Sequence, residues 1–258
     1  MWVIPDILDW SRELIRTKSR KEPRVFQRPY QMWRYAEDIL QAHTTNAACA
    51  DAVATLKRVV DHRIRTLDSI YNLETLPVKD KPADTLAILE YAGIIKPLMR
   101  RTLSELFTAA EYKVSGTVEY DTCLTFLEFA LYFLGITDRI ADRIPTEIML
   151  RRSASYDVST GSYEVSISLN PESGWVPRIK GVLNDSMLSA EPVDNWIVLE
   201  VQKSEPRENH EEGFPMHEGS NAATGITARR SQNTYIEGQI LGPDTYLRKC
   251  LKIYFQTV

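Results

Sequence analysis

The 258-residue sequence is poor in cysteine and glycine, and each shortage excludes a class of protein. The three cysteines, Cys49, Cys123 and Cys250, are far apart and odd in number, which argues against a disulfide framework and a cysteine-based metal site. The 11 glycines form no phosphate-binding loop, nucleophile elbow or dinucleotide fingerprint. We therefore expect a protein of a reducing, cytoplasmic compartment. Nucleotide-binding folds that depend on glycine-rich loops are disfavoured.

Long apolar runs are also missing. No uninterrupted apolar stretch reaches the roughly 20 residues that a membrane-spanning helix needs. Asp6 and Asp9 follow the short apolar start of the chain, where an export signal would carry a basic segment and then a longer apolar one. The sequence therefore predicts no membrane partner and no export.

Positive charge is concentrated near the N-terminus, although the whole chain has a formal net charge of -4. Basic side chains alternate there with aromatic ones, a combination that can neutralise phosphates and stack on bases. This arm is a candidate for contact with RNA or DNA. The alternative is a solvated helix face followed by a loop whose aromatic residues anchor into a bundle. The candidate nucleic-acid-binding residues are Arg16, Lys18, Arg20, Lys21, Arg24, Arg28, Arg34, Tyr30 and Trp33.

Helical periodicity dominates residues 46–148. Apolar residues three and four apart predict a helix over residues 47–71. Asp84 is a suitable N-cap for a shorter helix that ends at Gly93. Two more amphipathic helices are predicted over residues 95–112 and 121–134. The last has so broad an apolar face that we expect it to be buried on two sides.

Strand signals follow residue 148. Residues 163–169 alternate between apolar and polar side chains, and a turn sequence at 159–162 predicts a hairpin. Residues 196–199 form an apolar run suited to a central strand, and alternating apolar residues predict a final strand over 251–255. The polar, acidic segment 204–224 is predicted to be a mobile loop.

These patterns predict an α+β protein in which an N-terminal helical bundle is followed by a C-terminal antiparallel β-rich domain. The predicted parts are a basic N-terminal arm and helix at residues 1–45, the bundle at 46–148, and the β-rich domain at 149–258. The bundle is the expected surface for a protein partner or a second copy of the chain.

Four short strings in the bundle carry a family resemblance: VDHR at 60–63, LDSIY at 67–71, IIKPLM at 94–99 and CLTFLEF at 123–129. They resemble prokaryotic HEPN-type domains, small helical bundles of toxin–antitoxin and antiviral defence proteins, over residues 51–138. In active members of that family an arginine and a histidine meet across a dimer and cleave RNA. The equivalent positions here are Phe107 and Tyr112, which supply neither the charge nor a proton acceptor at neutral pH. The resemblance therefore implies a degenerate domain.

Two enzymatic alternatives remain open. Arg58 and His62 lie one helical turn apart and could form a displaced ribonuclease site. Asp194, Glu200 and Lys203 are similar to the PD-(D/E)xK nuclease motif, which would use Mg²⁺ with Asp185 as a further carboxylate. On a regular strand, however, Lys203 would lie on the opposite side from Glu200, so an ordinary strand is the favoured interpretation.

The function that the sequence favours is therefore recognition without catalysis and without a cofactor. We expect a component of a prokaryotic defence or toxin–antitoxin system that contacts RNA or DNA through its basic arm. A protein partner or a second copy would bind its helical bundle.

Overall fold

The computed structural model places α-helices where most of the helical patterns predict them. The structure describes residues 1–19, 23–76, 82, 84–111, 118–152, 163–169, 175–207 and 233–256, with the backbone alone at 19 and 23–26. The described helices are α1 (Pro23–Ala42), α2 (Asn46–Tyr71), α3 (Thr85–Tyr91), α4 (Pro97–Glu111), α5 (Tyr120–Asp142) and α6 (Asp244–Gln256). None of them is both long and apolar enough to cross a membrane.

Helix α2 begins and ends at residues that favour helix termini. The Thr45 hydroxyl accepts a hydrogen bond from the Ala48 amide at 3.3 Å, which satisfies one of the free N–H groups of the first turn. Asn72 ends the helix in the left-handed conformation with a φ of 44°, which asparagine adopts more readily than most residues. The predicted helix over 47–71 is thus confirmed.

The other predicted helices are also present, with different limits. Asp84 caps α3 as predicted, because its carboxylate accepts hydrogen bonds from the Leu86 and Ala87 amides at 3.0 and 3.2 Å. Helix α4 starts at Pro97, where a missing N–H group costs no helical hydrogen bond. Helix α5 continues beyond its predicted end to Asp142, because buried residues extend along the same face.

One antiparallel sheet contains all the described strands. They are β1 (Trp2–Val3), β2 (Ser11–Ser19), β3 (Arg143–Arg151), β4 (Glu164–Ser168), β5 (Arg178–Asn184), β6 (Leu188–Ser189), β7 (Ile197–Arg207) and β8 (Asn233–Gly242). Their order across the sheet is β2-β3-β4-β5-β8-β7-β1-β6. The predicted strands at 163–169 and 196–199 are confirmed as β4 and β7. The predicted loop at 204–224 is wrong over residues 204–207, which form the end of β7 and pair with β8. The predicted turn at 159–162 and the rest of that loop lie outside the described residues.

The predicted fold class, a helical bundle followed by a β-rich domain, is wrong at the N-terminal end of the chain. Strands β1 and β2 precede every described α-helix, and β2 pairs with β3 along one edge of the sheet. The expected arm of helix and loop is therefore partly an edge strand. Leu14 of β2 lies opposite Ile148 of β3, which places strands from distant parts of the chain side by side.

The prediction is also wrong at the C-terminal end, where α6 replaces the expected strand. Leu247, Cys250, Leu251 and Tyr254 are buried at the three- and four-residue spacing of a helix. Asp244 lies in the first turn, where a negative charge is favourable. Five residues over 251–255 are too few to separate the two periods, and the buried positions from Leu247 onward follow the helical one.

An aromatic cluster joins α2, α6 and the segment before β5 in the buried core. It contains Tyr71 from α2, Trp175, and Tyr254 and Phe255 from α6, with ring centroids 5.1 to 6.4 Å apart. The Trp175 indole donates to the Tyr71 carbonyl at 2.7 Å, and the Tyr71 hydroxyl donates to the Ile140 carbonyl at 2.5 Å. The Trp175 indole and the Tyr71 hydroxyl are thus buried at little desolvation cost, whereas the buried Tyr254 hydroxyl has no hydrogen-bond partner among the described residues.

Candidate functional site

A groove of about 480 Å³ lies between α1 and α2 and is rich in basic side chains. Helix α1 contributes Arg28 and Met32. Helix α2 contributes a longer row, and we call the whole surface the basic groove. Its residues on α2 are Arg58, Asp61, His62, Arg65, Thr66 and Ser69.

Helical geometry explains this arrangement. Arg58, His62, Arg65 and Ser69 follow each other at intervals of three and four residues, so they share one side of α2. The opposite side of α2 is apolar and buried. A short connection makes α1 and α2 antiparallel neighbours, which brings Arg28 into the same groove.

The arginines of the basic groove outnumber the acidic residues that line it. Arg28, Arg58 and Arg65 form no ion pair with any residue that the structure describes. Asp61 is the acidic residue in the lining, so positive charge is in excess. A concave surface with one sign of charge concentrates ligands of the opposite sign.

His62 lies in a partly buried and positively charged environment. Partial burial lowers the pKa of His62, and the nearby guanidinium groups of Arg28 and Arg63 lower it further. Its Nδ1 atom is shielded from solvent and has no hydrogen-bond partner among the described residues. His62 is therefore neutral at neutral pH and can accept a proton if an anion enters the groove.

A buried ion pair holds the helices that form the groove. Arg63 of α2 is 1% exposed, and its Nη2 lies 2.6 Å from Oδ1 of Asp138 on α5. The Tyr30 hydroxyl of α1 donates to the other carboxylate oxygen at 2.5 Å. Burial and this hydrogen bond raise the pKa of Tyr30 to about 12. One carboxylate thus connects α1, α2 and α5.

Tyr30 and Trp33 were candidates for base stacking, and the structure places both in the packing between helices. The Trp33 indole donates to the Leu127 carbonyl of α5 at 2.8 Å and packs against the core. Tyr30 is held by Asp138 as described. Their polar groups are occupied by α5, which matches the alternative that the arm's aromatic residues anchor into the bundle.

The basic candidates of the arm are distributed over two surfaces. Arg16 lies on β2, 3.5 Å from Glu147 of β3, and Lys18 is exposed on the same strand. Arg28 lines the basic groove, and Arg34 is exposed on another side of α1. Of the remaining candidates, Arg20, Lys21 and the side chain of Arg24 lie outside the described residues.

The strand candidates differ from expectation in their orientation. A bulge at Gln202 shifts the register between β7 and β8, so Glu200 lies opposite Gln239 and Lys203 opposite Glu237. Because residues two apart on β8 face the same side, Glu200 and Lys203 share one face of the sheet. The prediction that they lie on opposite sides is wrong, since the extra residue restores the alternation.

The carboxylates needed for a PD-(D/E)xK site do not converge with Glu200. Asp185 accepts a hydrogen bond from Thr234 at 2.6 Å. Thr234 lies five residues along β8 from Gln239, the partner of Glu200, which is a distance of roughly 17 Å at the rise of a strand. Asp194 lies beside Gly242 at the end of β8, about three residues or roughly 10 Å from that partner. Throughout the described ranges, no three His, Cys, Asp or Glu residues could hold a metal ion. These residues therefore do not fit the Mg²⁺ site of that alternative.

At the junction between α4 and α5, Phe107 is half-buried against the core, with Lys57 Nζ 5.6 Å from its ring centroid. Tyr112 lies outside the described residues.

No family model, curated protein or solved structure matches the chain. The resemblance to HEPN-type domains therefore rests on the four strings.

Sequence reasoning missed two residues of this region. Arg65 follows Arg58 by seven residues and could have been recognised from its place on the same side of the predicted helix. Tyr35 follows Arg28 by seven residues on α1 and is 61% exposed. The exposed aromatic residue on this side of α1 is thus Tyr35.

Proposed function

We propose that this protein binds nucleic acid through the basic groove, without catalysis. The observation that carries the proposal is the convergence of Arg28, Arg58 and Arg65, none of them ion-paired with a described residue, around a histidine. The lowered pKa of His62 is consistent with positive charge that a bound phosphate would neutralise. Backbone phosphates are the ligand that such a surface attracts most strongly.

The spacing of the arginines favours a chain of phosphates over a single anion. Arg58 and Arg65 are seven residues apart on α2, or about 10 Å along the helix axis. Each guanidinium presents paired donors that match two phosphate oxygens. Two such groups along one groove suit neighbouring phosphates of an extended strand.

Tyr35 supports a single strand as the ligand. Its ring is exposed and lies on the side of α1 that carries Arg28, so an unpaired base could stack on it while Arg28 binds the backbone. In a duplex the bases are already stacked on each other, and this ring would contribute less. We therefore expect single-stranded RNA or DNA to bind more tightly than a duplex.

The cellular setting belongs to the same proposal. The resemblance of the four strings to HEPN-type domains supports a recognition component of a prokaryotic defence or toxin–antitoxin system. In such a role the protein would hold RNA or DNA without cutting it.

Fluorescence anisotropy with a labelled single-stranded RNA, measured over a range of salt concentrations, tests the proposal. Arg58→Gln and Arg65→Gln should each weaken binding severalfold. Together they should make the negative slope of log affinity against log salt shallower by roughly 1.4. Arg101→Gln is the matched control, because Arg101 is an exposed helical arginine on α4. Equal loss in the control, or binding that ignores salt, would contradict the proposal.

A ribonuclease that uses Arg58 and His62 is the second candidate. The observation in its favour is that a neutral imidazole with a shielded Nδ1 lies in the same groove as Arg58, which forms no ion pair with a described residue. A neutral histidine can accept a proton from a ribose hydroxyl, and the arginine can stabilise the phosphate. RNA cleavage in EDTA that His62→Gln abolishes while retaining RNA binding would establish this activity in place of simple recognition.

A further inference from the structure

The outward face of α5 carries an apolar patch between two charges. Glu128, Tyr132, Gly135 and Arg139 are exposed and recur at helical spacing along one side, and Leu131 lies beside them. Tyr132 is 63% exposed and Leu131 is 38% exposed. Single exposed apolar residues are ordinary, but Leu131 and Tyr132 are neighbours, so their exposed surfaces form one small apolar patch. We call these five residues the α5 stripe.

Nothing in the described part of the chain explains Gly135. A Cβ atom at this position would meet none of the described atoms within 4 Å, so no described neighbour requires a glycine there. Glycine in the middle of a helix is destabilising relative to alanine, because it loses more backbone freedom on folding. Its value at this position would be the close approach of a group from another molecule.

The charges of the α5 stripe are self-complementary. Glu128 and Arg139 form no ion pair with a described residue, and they lie about 16 Å apart along the helix. A second α5, antiparallel and related by a two-fold axis between residues 133 and 134, would place each Glu128 opposite the other copy's Arg139. The same axis places Tyr132 over the open position at Gly135. Both contacts occur twice, as a two-fold interface requires.

We propose that two copies of this chain associate through their α5 stripes. A second copy fits better than an unrelated partner, because one symmetry operation matches both charges and the ring with the glycine. The contact leaves the basic groove open, since none of the five residues of the α5 stripe lines that groove. One helix face buries less area than a standard stable interface, so we expect dissociation in the roughly micromolar range.

Sedimentation velocity from about 1 to 300 µM tests the proposal, because the wild-type protein should shift from monomer to dimer over that range. Glu128→Arg and Arg139→Glu should each raise the dissociation constant at least tenfold, since each creates two like-charge contacts. The double variant Glu128→Arg/Arg139→Glu exchanges the charges and should restore association. Restoration is specific to this antiparallel register.

One control variant and one further variant of the α5 stripe test whether the effects on association are specific to this surface. Glu191→Arg reverses an exposed acid on the loop after β6 and should leave association unchanged. Gly135→Leu should abolish the dimer, while the monomer keeps its circular dichroism spectrum and an unfolding midpoint at least as high as that of the wild type, because leucine favours a helix more than glycine does. A wild-type monomer at every concentration, a dimer that tolerates either single reversal, or a double variant that stays monomeric would overturn the proposal.

Discussion

Replacing Asp138 with alanine removes the carboxylate that Arg63 and Tyr30 share. Arg63 is 1% exposed and Asp138 is 37% exposed. Removing one partner of a fully buried ion pair costs about 3–5 kcal/mol, because the remaining charge is left in a poor environment. Water can enter beside the truncated residue 138, so we expect a smaller loss of about 2–3 kcal/mol in the free energy of unfolding.

Urea denaturation followed by circular dichroism at pH 7 measures this loss. The midpoint should fall with little change in the denaturant dependence, because the surface exposed on unfolding is nearly the same. In thermal unfolding the same loss corresponds to a decrease of roughly 4–12 °C in Tm. Asp142→Ala is the control, since Asp142 is 54% exposed and makes one long contact of 3.9 Å. Its effect should stay within about 0.5 kcal/mol.

Tyr30→Phe extends the test to α1. It removes the hydrogen bond to Asp138, which is worth about 1–2 kcal/mol for a partly exposed bond to a charged group. If Asp138 connects the helices as described, the double variant should be no less stable than Asp138→Ala alone. Fully additive losses, or an Asp138→Ala protein as stable as the Asp142→Ala control, would refute the reasoning.

Three further outcomes are expected. The pKa of His62 should lie below the ordinary value of 6.5, so stability should decrease as pH falls below 6.5 towards this lower pKa. Bound RNA should raise the pKa of His62, and RNA binding should therefore be tighter at lower pH. Imidazole NMR signals measured against pH check this, and a pKa that RNA leaves unchanged would count against the groove. Gly181→Ala should destabilise more than Gly238→Ala in urea, because the added Cβ would lie 2.4 Å from a backbone oxygen at the first site and 2.9 Å at the second. Burial raises the pKa of both Cys123 and Cys250 to about 12, so neither thiol should react with Ellman's reagent until the protein unfolds, and rapid reaction of the native protein would disprove their burial.

Helix α2 and the cap of α3 were predictable because their signals are local. The apolar spacing of α2 and the side chain of Asp84 act within a few residues of the structure that they stabilise. Strand β2 and helix α6 were not predictable in this way. Residues 11–19 form a strand because they pair with residues 143–151, and no window of sequence contains both segments.

The candidate site was likewise predictable only where its signals are local in the sequence. Arg58, His62 and Arg28 were recognisable as residue types suited to phosphate binding, and the helical spacing of Arg58 and His62 was visible. Their convergence with Arg28 depends on how α1 packs against α2, so it required the structure. The bulge at Gln202 likewise changes which side Lys203 faces, and no sequence pattern marks it.

The sequence by itself determined that amphipathic helices lie within residues 47–71, 84–93, 95–112 and 121–134, that Asp84 caps α3, and that positive charge gathers near the N-terminus. These properties follow from side-chain chemistry at fixed spacing along the chain. Tertiary structure decided that the N-terminal strands enter the sheet, that the C-terminus is helical, and that the arginines of α1 and α2 share one groove. Each depends on contacts between distant segments, whose free energy is gained only when both surfaces are buried together.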